Sequence, residues 1–150
     1  MKEDDRPEDA IEVPDAPPVP GLTFRRYRGD EDIPRFHAVF EATKETDGIS
    51  WSETLEDFQN EYAHLTNTDV ERDIVAVEVD GQLIGYYRQY WVRELDGTYS
   101  YRTFETLLPA WRGKGIRRTM LSMIERRARE VAKGHTDATK KMITAWTWPG

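Results

Sequence analysis

A short glycine-rich segment with several cations is the part of this sequence whose residue types and spacing could do chemistry. It consists of Arg112, Gly113, Lys114, Gly115, Ile116, Arg117 and Arg118. Glycine lets a backbone bend and approach a ligand closely. The first N–H groups of a helix have no intrahelical acceptor, and the helix dipole adds partial positive charge there. If a helix begins near Gly115, this segment is suited to bind a phosphate or a pyrophosphate.

The residues do not support several other chemistries. The segment lacks the GxxxxGK[ST] spacing of a Walker loop, and Arg118 stands where a GxGxxG motif has its third glycine. The chain has no cysteine, which excludes disulfides and thiol nucleophiles. The spacing of His37, His64 and His135 offers no pair of metal ligands, so we expect no metal site.

Hydrophobic spacing predicts the elements that must position this segment. Strands are expected over residues 22–28, 73–79, 82–93, 98–108 and 141–148, and helices over about 30–44, 50–65 and 115–133. Asp30 is expected to cap the first helix, and Ser50-Trp51-Ser52 to start the second. The three middle strands should form an antiparallel meander, and the last helix should join two parallel strands by a right-handed crossover. The predicted fold class is α/β with a mixed sheet.

The run from Leu107 to Leu121 resembles the acyl-CoA-binding motif of the GCN5-related N-acetyltransferases (GNAT). In that motif a strand, often with a proline, precedes Q/R-x-x-G-x-G/A at the start of a helix, and here Pro109 precedes Arg112 and the two glycines. The predicted element order agrees with the family over residues 22–148. The resemblance implies a GNAT-like acyl-CoA N-acyltransferase fold with acetyl-CoA as the cofactor.

The resemblance also implies how the cofactor is held. The backbone amides from Gly113 to Arg118 would hold the CoA pyrophosphate. Main-chain groups of Leu107 and Leu108 would pair with the pantetheine arm, in the manner of an added strand, where the last two parallel strands splay apart.

Roles in the reaction follow from the same resemblance. An amine would attack the acyl thioester, a general base would remove the amine proton, and a strand amide would stabilise the oxyanion. Glu105 fits the position of the base, and the alternative for Glu105 is an ion pair with Arg102 or Arg88. Trp51, in the connection between the first two helices, would help to form the acceptor pocket.

The sequence departs from the family's pattern at two points. Arg117 stands where the family has Gly or Ala, and it could crowd the pyrophosphate or pair with it. The chain stops at Gly150, whereas the family continues with another helix and two strands, which hold the tyrosine that protonates the leaving thiolate. We therefore expect an incomplete GNAT-like domain, either a fragment such as the first half of a tandem protein or a chain that covers its last strand with a partner, for example in a homodimer.

Three functional hypotheses remain open. The first is an N-acetyltransferase that acts on a primary amine of a small molecule or a peptide. The second is a non-catalytic or degenerate domain of the same fold, which binds CoA weakly or braces a neighbouring domain. The third is an anion- or nucleic-acid-binding module that uses the basic helix, but the sequence has no helix-turn-helix partner or stacking platform. We expect no nucleic acid partner.

Charge and composition set the remaining expectations. The net charge is −7, and residues 1–21 hold seven acidic residues and five of the eight prolines. Such a segment cannot offset the entropy of ordering, so we predict a disordered acidic arm over 1–21 and one domain over 22–150. No apolar run reaches the roughly 18–20 residues of a membrane helix, and the acidic N-terminus is not a signal sequence. We expect a cytoplasmic protein without membrane contact.

Overall fold

The computed structural model describes residues 7–145, which form a mixed sheet with helices on both faces. The strands are β1 (Ala10–Ile11), β2 (Leu22–Arg26), β3 (Ile74–Val79), β4 (Gln82–Arg93), β5 (Thr98–Leu107) and β6 (Lys140–Ala145). The helices are α1 (Ile33–Asp47), α2 (Leu55–Ala63) and α3 (Ile116–Ala132), with 3₁₀ turns at Gly29–Glu31 and Pro109–Trp111. None of the helices in this part of the chain has the length and apolar character needed to cross a bilayer.

The order of the strands confirms the predicted topology. The six strands lie side by side in chain order, and neighbours from β1 to β5 are antiparallel. β5 and β6 are parallel, with partners from Thr98↔Lys140 to Thr103↔Ala145. The antiparallel meander and the parallel β-α-β unit are therefore both confirmed. The later part of the last predicted strand, residues 146–148, lies outside the described residues.

Helices cover both faces of the sheet. α3 packs on one face, where Ile116 and Met120 contact the layer that contains Leu107. α1 and α2 pack on the other face, through Phe40 and Phe58. All six residues of β3 are buried, as expected for a strand with a nearly continuous apolar run between two covered faces.

Two helices begin later than the sequence predicts. Asp30 lies in a 3₁₀ turn and does not cap α1, which follows Asp32. The carboxylate of Asp32 is bound by Arg25 instead of capping the helix. α2 begins after Thr54 because Thr54 and Asp57 form a capping box, in which each residue's N–H donates to the other's side chain.

The N-terminal segment differs from the disordered arm predicted over 1–21. β1 pairs with β2, and Val13, Ala16 and Val19 pack against the core layer under α3. The average composition of this segment hides these apolar residues, each of which finds a contact on the sheet. The first part of the predicted arm, residues 1–6, lies outside the described residues.

A buried arginine joins the beginning of the sheet to the beginning of α1. Arg25, on β2, is fully buried. Its Nε donates to the Glu78 carboxylate at 2.7 Å, and its two Nη atoms donate to the two oxygens of Asp32 at 2.8 and 2.7 Å. Because a buried charge requires matched partners, this triad fixes β2, β3 and α1 relative to one another.

Replacing Arg25 with methionine should lower the free energy of unfolding by about 3–5 kcal/mol, because Asp32 and Glu78 would stay buried without their cation. Urea denaturation measures the loss. Arg26→Met is the matched control, since Arg26 is exposed and its loss should cost less than about 0.5 kcal/mol. Equal losses in the two variants would contradict the role given to the triad.

Candidate functional site

The segment between β5 and α3 keeps its backbone N–H groups open. Gly113 and Gly115 have φ values of 80° and 89°, a left-handed conformation that glycine adopts without strain. The six N–H groups from Gly113 to Arg118 have no hydrogen-bond acceptor within residues 7–145, and the next N–H, of Thr119, donates to Gly115 O. α3 also has no side-chain cap. Adjacent open donors at a helix N-terminus can bind an anion.

The end of β5 lies directly before this segment and carries one residue, Leu107, whose main-chain groups β4 does not use. Leu108 N donates to Ile84 O at 2.8 Å, and Leu108 O accepts from Trp111 N at 2.9 Å. The first bond and the Gly85↔Leu107 register direct the N–H and C=O of Leu107 away from β4. The N–H of Leu107 therefore points to the side that β4 does not use, whereas Leu107 O already accepts from Arg112 Nε at 2.9 Å. Leu108 differs from the expectation, because both of its main-chain groups are already used.

Arg112 is held by the end of α1 and is not free to face the open amides. Its Nη atoms donate to the two oxygens of Asp47 at 2.6 and 2.9 Å, and its Nε donates to Leu107 O at 2.9 Å. Asp47 is the last residue of α1, and its side chain is only 1% exposed. The ion pair ties the glycine-rich segment to α1, so Arg112 stabilises the loop structurally.

The side chain of Arg117 turns towards β5. Its Nε lies 3.2 Å from each carboxylate oxygen of Glu105, so Glu105 pairs with Arg117 and not with Arg102 or Arg88. The Glu105 side chain is 2% exposed, and this burial raises the pKa of its carboxyl. Arg117 thus lies beside the candidate base. The two expectations for Arg117, that it crowds the pyrophosphate or pairs with it, did not include this position.

Lys114 and Arg118 are the two remaining cations of the segment. Both are exposed, and in the described part of the chain neither forms an ion pair, in contrast to Arg112 and Arg117. Half of the predicted cations are therefore available to an anion at the open amides. No group of three His, Asp or Glu side chains among the same residues could hold a metal ion.

A bulge in β4 sets the position of the end of β5. The register between β3 and β4 shifts at Val77 and Glu78, which leaves Ile84 as an extra residue on β4. A Cβ atom at Gly85 would lie 2.7 Å from Thr106 O. The missing side chain therefore allows β4 to approach the residues that precede the open amides.

The sheet separates Trp51 from Glu105. Trp51 lies in the connection between α1 and α2, is 46% exposed, and packs on Phe40 with ring centroids 5.0 Å apart. Phe40 in turn lies 6.0 Å from the ring of Phe104, on the face of the sheet opposite to α3. Glu105, the next residue, contacts α3. The structure therefore places the two predicted site residues on opposite faces of the sheet.

Two residues that shape the site were missed at the level of sequence. Asp47 precedes Gly48, and this pair of residues predicts the end of a helix. The sequence does not indicate the ion pair of Asp47 with Arg112, because the two residues are 65 positions apart. Gly85 could have been identified from the sequence, because an isolated glycine inside a strand pattern indicates a bulge or a close backbone approach.

The sequence matches the profile of one protein family, and the fold is similar to that of several solved structures. A sequence profile of the Acetyltransferase (GNAT) family matches residues 36–141. No curated protein matches the sequence. The fold is similar to that of a GCN5-related N-acetyltransferase from Sphaerobacter thermophilus, with 18% identity and a TM-score of 0.59 over 81% of this chain and 35% of that chain. This chain thus spans about a third of that protein's length.

Two further solved structures share the fold. A predicted acetyltransferase from Clostridium acetobutylicum, solved with acetyl-CoA, has 16% identity and a TM-score of 0.59 over 85% of this chain and 81% of that chain. Naa50 from Arabidopsis thaliana, in complex with the bisubstrate analogue CoA-Ac-MVNAL, has 10% identity and a TM-score of 0.53 over 83% of this chain and 71% of that chain.

Asp47→Asn should lower the free energy of unfolding by about 3 kcal/mol, because the Arg112 guanidinium would lose its anion in a mostly buried position. Glu45→Gln is the matched control, since Glu45 is exposed on the last turn of the same helix. Thermal or urea denaturation compares the two variants. Equal stability of both variants would mean that the ion pair does not hold the loop.

Proposed function

The chain belongs to the acetyltransferase (GNAT) family, and we propose that it transfers an acetyl group from acetyl-CoA to a primary amine. Acyl transfer is the chemistry that membership supports, and the acetyl donor and the amine acceptor are the proposal. The observation that carries it is the run of six N–H groups from Gly113 to Arg118 without acceptors. Such a donor set matches the oxygens of a diphosphate.

The surroundings of these amides suit the pyrophosphate of CoA. A Cβ atom at Gly113 would meet nothing within 4 Å, so a ligand can reach the backbone. Lys114 and Arg118 are exposed and form no ion pair among the described residues, so they add positive charge beside the open amides. Ile116 is fully buried and would contribute only its N–H.

The pantetheine arm would lie along the side of β5 that β4 does not use. The N–H of Leu107 points to that side, and Leu107 O keeps one lone pair beyond the one that accepts from Arg112 Nε. Leu108 would contribute its partly buried side chain as part of the wall.

Glu105 is the proposed proton acceptor for the incoming amine. Acetyl-CoA, when bound, supplies a thioester carbonyl that an amine can attack. Burial raises the pKa of the Glu105 carboxyl, with Asp47 acting in the same direction, whereas Arg117 and Arg112 lower it. A raised pKa suits a general base that works near neutral pH.

Trp51 is the proposed contact for the acceptor, which would be a primary amine of a small molecule or a peptide. An exposed indole in a loop offers an apolar and cation-binding surface. The identity of the Arabidopsis neighbour's ligand, the bisubstrate analogue CoA-Ac-MVNAL, supports a peptide as one of the acceptor types to test.

A non-catalytic CoA-binding domain is the second candidate function. The ion pair of Glu105 with Arg117 favours it, because a carboxylate held by a cation is a weaker proton acceptor. The two candidates differ in turnover and not in CoA binding.

CoA should bind the purified chain at one site in a calorimetric titration, and Arg118→Met should weaken binding by about three- to tenfold, with a smaller effect at high salt. Arg129→Met is the control, because Arg129 is exposed on the same helix and pairs with Glu125. If CoA fails to bind, the proposal of an acyl-CoA site is wrong.

Glu105→Gln should lower kcat by about 10²–10⁴-fold without weakening the binding of CoA, because a general base acts only on the chemical step. In the wild type, kcat/KM should rise with pH through the raised pKa of Glu105, since only the carboxylate accepts a proton, and the variant should lose this limb. Thiol release from acetyl-CoA with a panel of primary amines measures both.

Glu125→Gln is the control for that experiment, because Glu125 is an exposed residue of α3. If the wild type binds CoA and releases no thiol with any amine, the second candidate function replaces the first. If Glu105→Gln instead destroys CoA binding, Glu105 serves the cofactor site and is not the base.

A further inference from the structure

The ion pair between Arg117 and Glu105 uses fewer guanidinium nitrogens than the nearby ion pair between Arg112 and Asp47. Arg112 uses two nitrogens on Asp47, at 2.6 and 2.9 Å. Arg117 offers Glu105 only its Nε, at 3.2 Å from both oxygens. The terminal nitrogens of Arg117, which would make a bidentate pair, are not used on this carboxylate.

Two atoms of the pair are buried without a hydrogen-bond partner among the described residues. They are Glu105 Oε1 and Arg117 Nη2. Leaving a buried donor or acceptor unsatisfied costs about 1–3 kcal/mol, and Glu105 is 3% exposed. The arrangement therefore keeps one guanidinium donor available for another acceptor.

Arg117 is also placed to reach the open amides. It is the second residue of α3, and its own N–H is one of the six without an acceptor. An anion held by these amides would lie within one side-chain length of the Arg117 guanidinium. Arg112 cannot serve in the same way, because Asp47 and Leu107 O already hold its nitrogens.

We propose that Arg117 is a positioning residue shared between two anions: its guanidinium holds Glu105 when the amides are free, and it turns to the pyrophosphate when CoA is bound there. This inference rests on the acyl-CoA role proposed above. Its consequence is an order of events, since Glu105 becomes an unpaired carboxylate only after the cofactor has bound. No covalent bond forms or breaks in this step.

The charges around Glu105 make the exchange measurable. The charged groups that face it are Arg117 from α3, Arg112 from the segment before α3 and Asp47 from α1. Arg112 and Asp47 pair with each other, so their opposing effects largely offset. Loss of the Arg117 contact should therefore raise the pKa of Glu105.

Carboxyl ¹³C NMR titration tests the proposal on the wild type and on Arg117→Met, each with and without saturating CoA. The Glu105 signal is assigned by its absence from Glu105→Gln. Bound CoA should raise the pKa of Glu105 in both proteins, because its phosphates are negative. The rise should be larger in the wild type, which also loses the Arg117 contact. Arg117→Met should weaken CoA binding by about tenfold.

Arg129→Met is the control and should behave as the wild type in both measurements. Equal rises in the wild type and Arg117→Met, or an unchanged CoA affinity in the variant, would overturn the proposal. Thermal unfolding of Arg117→Met confirms that the variant is folded. Calorimetry on the wild type distinguishes the failure of this proposal from the failure of the proposed function. If CoA does not bind, the acyl-CoA role is wrong. If CoA binds and the pKa of Glu105 rises equally in both proteins, only the sharing of Arg117 is wrong.

Discussion

The constraint on which the rest of this structure depends is that α3 begins without a cap. A helix start leaves its first N–H groups without intrahelical acceptors, and most helices supply a side chain to one of them. Here the residue before α3 is the left-handed Gly115, with no side-chain cap, and the donors from Gly113 onwards stay open. The order of β5, glycine-rich segment and α3 places these donors beside the Leu107 N–H, which points away from β4.

Ion pairs decide which of the many cations can act on a ligand. Arg25 is enclosed by Asp32 and Glu78 and holds the sheet to α1. Arg112 is enclosed by Asp47 and holds the glycine-rich segment. Pairs of this kind are matched and buried, so their charge is not available elsewhere. The net charge of −7 consequently says little about the local potential at the start of α3.

The sheet divides the candidate site into two sides. The donors for a pyrophosphate and the Glu105 carboxylate lie on the side of α3, and Trp51 lies on the side of α1 and α2, packed on Phe40. Glu105 and Leu107 lie on β5 beyond Thr103, the last β5 residue whose pairing with β6 the described residues show.

The sequence by itself determined the element order, the mixed sheet and the glycine-rich helix start, because hydrophobic periodicity and glycine conformation are local properties of the chain. The third predicted strand, 82–93, coincides with β4, Gln82–Arg93. Only the tertiary structure decided that Arg112 pairs with Asp47 and Arg117 with Glu105. It also decided that the proline-rich arm pairs with β2 through Ala10–Ile11 and packs against the core. These outcomes depend on which side chains packing brings together, and neither composition nor separation along the chain records that.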